Sequence, residues 1–430
     1  MESFRARSRT SGRAPEASNR GARRVRARLQ AARGIPSDRG ARHAGRPRAD
    51  SLPSPRARAD PLLSSPTPMR IALLIDPLTV RTRPGDHAHE LWRALRSRGH
   101  EVRAFGAPPG QLHEDAGAAA HTATTLLRYA PQSLLAYDAL SPSAYAGARA
   151  ARRLRAGLVL LEPGLEGHRV GISRRVLLSI GERLWGSYVR STARNVVALD
   201  DVGQAMARAK GFSTERISIC PEGVDTQVFR PGIGSHLLAA HRIRGRVMLY
   251  TGPLELSRDV GTLVSAFAAS IGQRGDWNLV LAGEGEARST LRAQAERSGV
   301  GDRVHFLQRP SLDALPGLMS CATLLVQPGL GADVRGRQVA RAMACGVPIV
   351  AASLPRLQHL LEHERTGLWA KPADLASWTE ALARAAASPQ QRQRWGDTAR
   401  ARAVERLDWR AVAGSLEQVL ENASQRSRAA

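Results

Sequence analysis

The sequence predicts an α/β protein in which two parallel sheets, each covered by helices, face each other across a cleft. From residue 69 onward, strand-like and helix-like segments alternate, which is typical of a parallel sheet flanked by helices. A turn-rich connector ends this alternation near residue 231, and a second alternation then begins. A length of 430 residues suits two or three domains. Because open α/β sheets bind ligands at the carboxyl ends of their strands, the cleft between the two is the predicted site.

The first alternation predicts an N-terminal domain over residues 69–231. Its apolar runs predict strands at 70–75, 101–105, 158–161, 196–199 and 217–220. Its helical spacings predict helices at 86–98, 142–155, 173–194 and 200–210. The last of these begins at Asp200, a residue type that caps helix N-termini, and ends at Gly211.

The second alternation predicts a C-terminal domain over residues 232–425. Its predicted strands lie at 247–250, 278–282, 304–307, 323–327 and 348–351. Its predicted helices lie at 260–269, 287–297, 312–319, 336–344, 375–387, 389–405 and 410–422. The final helix is long enough to pack back on the N-terminal domain.

Residues 1–68 form an arginine-rich leader. The segment is rich in Arg, Ser, Pro and Ala, and Phe4 is its only aromatic residue. It cannot bury enough apolar surface to offset its ordering entropy, so it is predicted to be disordered. Its composition is similar to that of a transit peptide. The alternative, which we favour, is that translation starts at Met69, because a predicted strand begins directly after it.

The net charge of +25 does not predict a nucleic-acid partner. Only Lys210 and Lys371 are lysines, and no basic block is interleaved with aromatic residues. Cys220, Cys321 and Cys345 lack the paired spacing of a disulfide frame or a zinc site, and are predicted to be small core residues in a reducing cytoplasm. No apolar run reaches the roughly 18–20 residues that a membrane-spanning helix needs.

Several motifs stand at the ends of the predicted strands. They are Pro221-Glu222-Gly223-Val224-Asp225, the loop from Gly252 through Arg258 to Gly261, Gly283-Glu284-Gly285, the run from Ala342 to Val350, and Thr366-Gly367-Leu368. Together they resemble the motifs of glycosyltransferase family four, specifically in the second half and faintly in the first. The resemblance implies a GT-B fold of two Rossmann-like domains. It also implies retaining transfer of a sugar from a nucleotide-sugar to a glycan or lipid-linked acceptor in glycoconjugate or polysaccharide biosynthesis, with no cofactor and no obligatory metal.

The resemblance also implies which residues form the site. Without a metal, a leaving diphosphate must be neutralised by cationic side chains and helix N-termini. Arg258 matches the phosphate-binding lysine of the family, and the alternative is that it is a solvated surface charge. The other implied residues are Asp333, which would position the donor sugar as the catalytic carboxylate, Gly252, Gly336 and Arg341 on the donor side, and Gly85, Asp86 and His87 in the acceptor-side loop.

Several positions depart from the family pattern, and one of them is Glu222, which stands where the family has an asparagine. Arg341 stands where the family has a ribose-binding glutamate, and an arginine cannot accept hydrogen bonds. Pro253 replaces a phosphate-binding arginine, Pro163 replaces a histidine, and Pro355-Arg356 replaces a glycine pair. We expect Arg341 to open a helix turn that faces the cleft. An alternative function is therefore a catalytically inactive homologue that serves as a binding or partner subunit.

The predicted helix 173–194 has an apolar face and a basic face. Leu177, Ile180 and Leu184 share one face, whereas Arg183 and Arg190 share the other. A domain helix with a solvated basic side is one interpretation. Peripheral contact with an anionic membrane is the other, and it suits a lipid-linked acceptor.

Overall fold

Two six-stranded parallel sheets form the framework of the computed structural model. The structure describes residues 67–75, 86–106, 122–137, 139–162, 179–180, 182–330 and 336–429. All of these belong to one compact unit. The sheets confirm the predicted α/β class.

The first sheet has the strand order β2-β1-β3-β4-β5-β6, with every neighbouring pair parallel. Its strands are β1 (Arg70–Leu74), β2 (Glu101–Phe105), β3 (Ser133–Ala136), β4 (Gly157–Glu162), β5 (Asn195–Ala198) and β6 (Ile217–Ile219). Its helices are α1 (His87–Ser97), α2 (Thr122–Tyr129), α3 (Pro142–Leu154), α4 (Ser187–Thr192) and α5 (Asp201–Ala209). The central strands are buried on both faces, as a helix-covered parallel sheet requires.

The second sheet has the strand order β12-β11-β10-β7-β8-β9 and is also parallel throughout. Its strands are β7 (Arg246–Thr251), β8 (Trp277–Ala282), β9 (Val304–Leu307), β10 (Leu324–Gln327), β11 (Ile349–Ala352) and β12 (Gly367–Ala370). The helices that follow the connector are α6 (His236–Ala240), α7 (Val260–Ser270), α8 (Arg288–Arg297), α9 (Leu315–Ser320), α10 (Arg337–Ala344), α11 (Leu375–Ala387), α12 (Pro389–Arg402) and α13 (Trp409–Arg428).

The last helix, α13, leaves the second sheet and packs on the first. Trp409, Leu416 and Leu420 join a core that also contains Met69 and Leu91. We call the first sheet with its helices and α13 the first lobe, and the second sheet with α6–α12 the second lobe. The chain therefore passes between the lobes twice.

The two crossings run side by side. Val224 N donates to Leu407 O at 2.7 Å, and Trp409 N donates to Val224 O at 3.2 Å. A Cβ atom on Gly223 would lie 2.4 Å from the Trp409 ring, so only glycine fits where the crossings meet. This requirement explains the glycine of the Pro221–Asp225 motif.

Most predicted elements lie within two residues of the observed ones, but the described residues contain several elements that the sequence did not predict. The strands β3 and β12 and the helices α2 and α6 were missed. The predicted cap is confirmed, because Asp200 Oδ1 accepts a hydrogen bond from Gly203 N at 2.7 Å. Of the predicted helix 173–194, the described part is a π-helical turn at Glu182–Gly186 followed by α4. The leader 1–66 lies outside the described residues.

The cysteines differ in exposure. Cys220 and Cys345 are buried core residues, and burial raises the pKa of both thiols to about 12. Cys321 is exposed, so its prediction as a core residue is wrong. Within the described part of the chain, no helix is both long and apolar enough to cross a bilayer.

Candidate functional site between the two lobes

Two glycine-containing loops cross at the carboxyl ends of β7 and β8. Gly252 N donates to Ala282 O at 3.2 Å, and Leu254 N donates to Glu284 O at 2.8 Å. A Cβ atom on Gly283 would lie 1.8 Å from Gly252 O, a backbone atom that cannot move without breaking this arrangement. The predicted donor-side residue Gly252 is therefore held by backbone contacts.

We expect Gly283→Ala to lower the free energy of unfolding by about 1–3 kcal/mol, since overpacking at a close backbone contact costs about that much. Denaturant unfolding measures the change. The matched control is Gly261→Ala on the neighbouring helix α7, where the nearest atom to a Cβ is the Gln294 side chain at 3.4 Å. Equal stability of the two variants would contradict the packing assigned to Gly283.

Arg258 lies directly before the helix that follows the Gly252 loop. It is the last residue of a 3₁₀ turn at Leu256–Arg258, and α7 begins at Val260. Its side chain is only 15% exposed and its Nε is 3.9 Å from Glu255 Oε2. Arg258 is therefore not a solvated surface charge. Its proposed role with a diphosphate stays a prediction.

Arg341 lies in the last turn of α10, so the expectation that it opens a helix turn is wrong. The helix begins four residues earlier, at Arg337, because Ala340 N already donates to Gly336 O. The Arg341 guanidinium stacks over the Phe229 ring at 5.0 Å and donates to Gln338 Oε1 at 3.4 Å. Burial, and the like charge of Arg337, lower the pKa of Arg341 to about 10. The charged form of Arg341 is thus less favourable at this position than in water.

Arg337, which the sequence analysis did not single out, joins the two sides of the cleft. Its Nε donates to Glu222 Oε1 at 2.6 Å, and its Nη1 lies 3.5 Å from Asp86 Oδ1. Burial alone would lower the pKa of Arg337, but Glu222 and Asp86 outweigh it and raise the pKa. The signal was present in the sequence, because Glu222 stands where the family has an asparagine.

A second ion pair also joins the lobes. Arg356 follows β11 in the second lobe, and its guanidinium donates to Asp200 Oδ2 at 2.7 Å. Asp200 follows β5 in the first lobe and caps α5 with its other oxygen. The two side chains are only 3% and 8% exposed, so this pair is shielded from water.

A small cavity lies beside both ion pairs. Its lining contains Asp200, Glu222, Arg356 and His359, together with Gly336 at the start of α10. The cavity has a volume of about 20 Å³, which is room for about one water molecule. Burial lowers the pKa of His359, although Asp200 and Asp201 oppose this shift.

The predicted acceptor-side residues Asp86 and His87 have different surroundings. Asp86 faces Arg337, but His87 is buried and its Nδ1 lies 3.2 Å from the Tyr137 hydroxyl. The His87 ring also packs edge-on against Trp409 at 5.4 Å between ring centroids. Burial, with Glu222 nearby, raises the pKa of Tyr137. His87 therefore supports the floor of the cleft.

The structure brings Asp86, Gly336 and Arg341 together around Arg337 and Glu222. Gly252 and Arg258 lie on the loop after β7. The predicted residues Asp333 and Gly85, and the substituted Pro163, lie outside the described residues.

Comparison with known proteins identifies the second lobe. Residues 240–402 match the family model of the glycosyl transferases group 1. Over these residues the chain is similar to the group 1 glycosyl transferases. Among relatives, the MMP alpha-(1->4)-mannosyltransferase of Mycolicibacterium hassiacum is 29% identical over 249 residues, which are 56% of this chain and 58% of that protein. The GDP-mannose-dependent alpha-(1-6)-phosphatidylinositol monomannoside mannosyltransferase of Mycobacterium tuberculosis is 31% identical over 252 residues, 54% of this chain and 61% of the relative. The match spans less than two thirds of both relatives.

Solved structures confirm the GT-B fold of this chain. HepE of Anabaena, solved in complex with UDP, superposes with a TM-score of 0.63 at 18% identity, covering 82% of this chain and all of HepE. A glycosyltransferase of Rickettsia africae superposes with a TM-score of 0.64 at 11% identity, covering 83% of this chain and 98% of the other. The likeness therefore includes both lobes.

Proposed function

We propose that this chain is a group 1 glycosyltransferase that transfers a sugar from a nucleotide-sugar to a glycan or lipid-linked acceptor, with retention of anomeric configuration and without a cofactor or obligatory metal. The observation that carries the proposal is the loop after β7, where Gly252 is fixed against Gly283 and Arg258 lies two residues before the first residue of α7, with Asp259 between them. A largely buried arginine at a helix N-terminus is suited to a diphosphate, because the cation and the backbone N–H groups both stabilise negative charge.

In this proposal the chain's residues act mainly on the leaving group. Arg258 would neutralise the charge that develops on the diphosphate as the glycosidic bond breaks, and the α7 N-terminus would add the partial charge of its backbone dipoles. Asp333 would position the donor sugar. The Gly252 and Gly336 backbones would allow the nucleotide to approach closely.

The nature of the donor is drawn from relatives. One relative is named for GDP-mannose, and HepE has been solved with UDP and with UDP-glucose, so a mannosyl or glucosyl donor fits the proposal. Calorimetric titration with UDP, GDP and ADP tests it directly. Saturable binding of one diphosphate, followed by slow hydrolysis of the matching nucleotide-sugar without metal, is expected. Failure to bind any of the three would overturn the proposal.

A second candidate function is a catalytically inactive binding or partner subunit. The observation that favours it is Arg341, a cation at the position of the family's ribose acceptor. If binding of a nucleotide is measurable but the matching nucleotide-sugar is neither hydrolysed nor transferred, the inactive subunit becomes the better proposal.

We further propose a cytoplasmic protein that contacts anionic membranes through the surface before α4. Ile180 and Leu184 are 44% and 68% exposed, and the exposed Arg183 lies between them. Apolar side chains beside cations suit an anionic lipid surface.

We expect Leu184→Glu to reduce co-sedimentation with phosphatidylglycerol vesicles severalfold. The control is Leu312→Glu in the second lobe, which replaces another exposed leucine, 50% exposed, and should leave co-sedimentation unchanged. Equal sedimentation of all three proteins would remove the membrane proposal.

A further inference from the structure

Two ion pairs cross the cleft between the lobes. Arg356 of the second lobe pairs with Asp200 of the first at 2.7 Å, and Arg337 of the second lobe lies 3.5 Å from Asp86 of the first. Glu222, on the connector, accepts a further hydrogen bond from Arg337. Separation of the lobes would break both cross-cleft pairs together.

The Arg356–Asp200 pair is tied to its surroundings on both sides. Asp200 uses one oxygen to cap α5 and the other to bind Arg356, so its carboxylate is fixed before the lobes meet. Arg356 lies in a 3₁₀ turn that follows Pro355, which fixes the backbone on its side. A pair built from two fixed partners loses little side-chain entropy on forming.

The cavity beside the pairs is too small for the ligand of the proposed function. It has room for about one water, whereas sites for small molecules and cofactors have volumes of about 300–1,000 Å³. A nucleotide that reaches this part of the cleft therefore requires the lobes to separate first.

We propose that the Arg356–Asp200 pair, assisted by Arg337–Asp86, is an autoinhibitory latch that holds the cleft closed against nucleotides. The identity of the ligand, a nucleoside diphosphate, rests on the proposed function. The effect of the latch on the separation of the lobes does not depend on that function. Once the lobes have separated, an anionic diphosphate can keep them apart by competing with Asp200 for the Arg356 guanidinium, because guanidinium binds phosphate and carboxylate with the same geometry.

Lobe separation is measured without any nucleotide by distances between two spin labels. Cys321 is exposed in the second lobe, Cys220 and Cys345 are buried, and Arg149→Cys adds an exposed site on α3. We expect one narrow distance distribution in the otherwise unchanged chain. Asp200→Asn should shift it to longer distances, since asparagine still caps α5 but removes the negative charge that faces Arg356 across the cleft.

Three further variants separate the latch from a general loss of packing. Arg356→Met should also lengthen the distance, whereas the double variant Asp200→Asn/Arg356→Met should lengthen it less than either change alone, because no unpaired charge remains. Arg98→Met breaks a comparable 2.7 Å pair with Glu417 inside the first lobe and should leave the distance unchanged. An unchanged distance in Asp200→Asn, or the same shift in Arg98→Met, would overturn the latch.

Titration with UDP, GDP and ADP then relates the latch to function. If the open state is populated at about 10% or less, unlatching should tighten the apparent affinity about tenfold or more. A longer distance without binding of any nucleotide would support lobe separation but overturn the nucleotide as ligand, and with it the proposed function. Nucleotide binding with an unchanged distance would keep the proposed function and overturn the latch.

Discussion

Arg258→Ala is expected to weaken binding of a nucleoside diphosphate by about 1.5–3 kcal/mol, which is a factor of about 10–150 in the dissociation constant. The physical reason is the loss of charge-assisted hydrogen bonds from a guanidinium that is largely buried beside the α7 N-terminus. Calorimetric titration with the diphosphate that binds the unchanged protein measures the effect.

The bare nucleoside gives the internal control for Arg258, since it lacks the diphosphate and should lose little affinity. Arg297→Ala gives the matched control variant, because it removes the same charge from an exposed position at the end of α8. Equal losses for the diphosphate and the nucleoside would mean that Arg258 acts on the fold of the loop and not on phosphate.

Arg341→Glu is expected to tighten nucleoside diphosphate binding by about 1–3 kcal/mol, because it restores a carboxylate that accepts hydrogen bonds from the ribose hydroxyls. The substitution also removes a buried cation whose lowered pKa records an unfavourable charge. Arg337 is one turn earlier on the same helix and can pair with the new carboxylate. Titration at two salt concentrations measures the change.

The opposite result would assign a different role to Arg341. If affinity falls, and falls more steeply at low salt, the guanidinium itself contacts the phosphates. Unchanged affinity would mean that Arg341 does not face the ligand. Arg341→Met separates stability from binding: it keeps the side-chain volume against Phe229 and should raise the free energy of unfolding by about 1–3 kcal/mol, since the penalty on the buried charge is removed.

The sequence predicted most elements of both lobes and missed one strand and one helix in each, and the missed strands show why. The residues of β3, Ser133–Ala136, form a run of four that is too short to distinguish a buried strand from part of a helix. Its place beside β1 depends on pairing between residues about sixty positions apart. β12, Gly367–Ala370, was missed because it is also only four residues long. It lies at the edge of the sheet and pairs only with β11.

The candidate site was predictable where it follows local chemistry and not where it depends on distant partners. The close approach of Gly252 and Gly283 and the position of Arg258 before α7 follow from short motifs. The pairs Arg337–Glu222 and Arg356–Asp200 join residues 115 and 156 positions apart, and no local pattern shows that they meet. The departures from the family pattern at Glu222 and Arg356 were visible in the sequence. The sequence did not show that each of these side chains lies beside an opposite charge.

The return of α13 to the first lobe has a consequence for how the protein is made. Ser133 Oγ donates to Leu420 O across 287 residues, and Trp409 and Leu416 complete the core around Met69 and Leu91. Chains are synthesised from the N-terminus, so the first lobe emerges long before the helix that covers it. During that interval its apolar surface is open to chaperones and to aggregation, and the first lobe completes its core only after the second lobe has been synthesised.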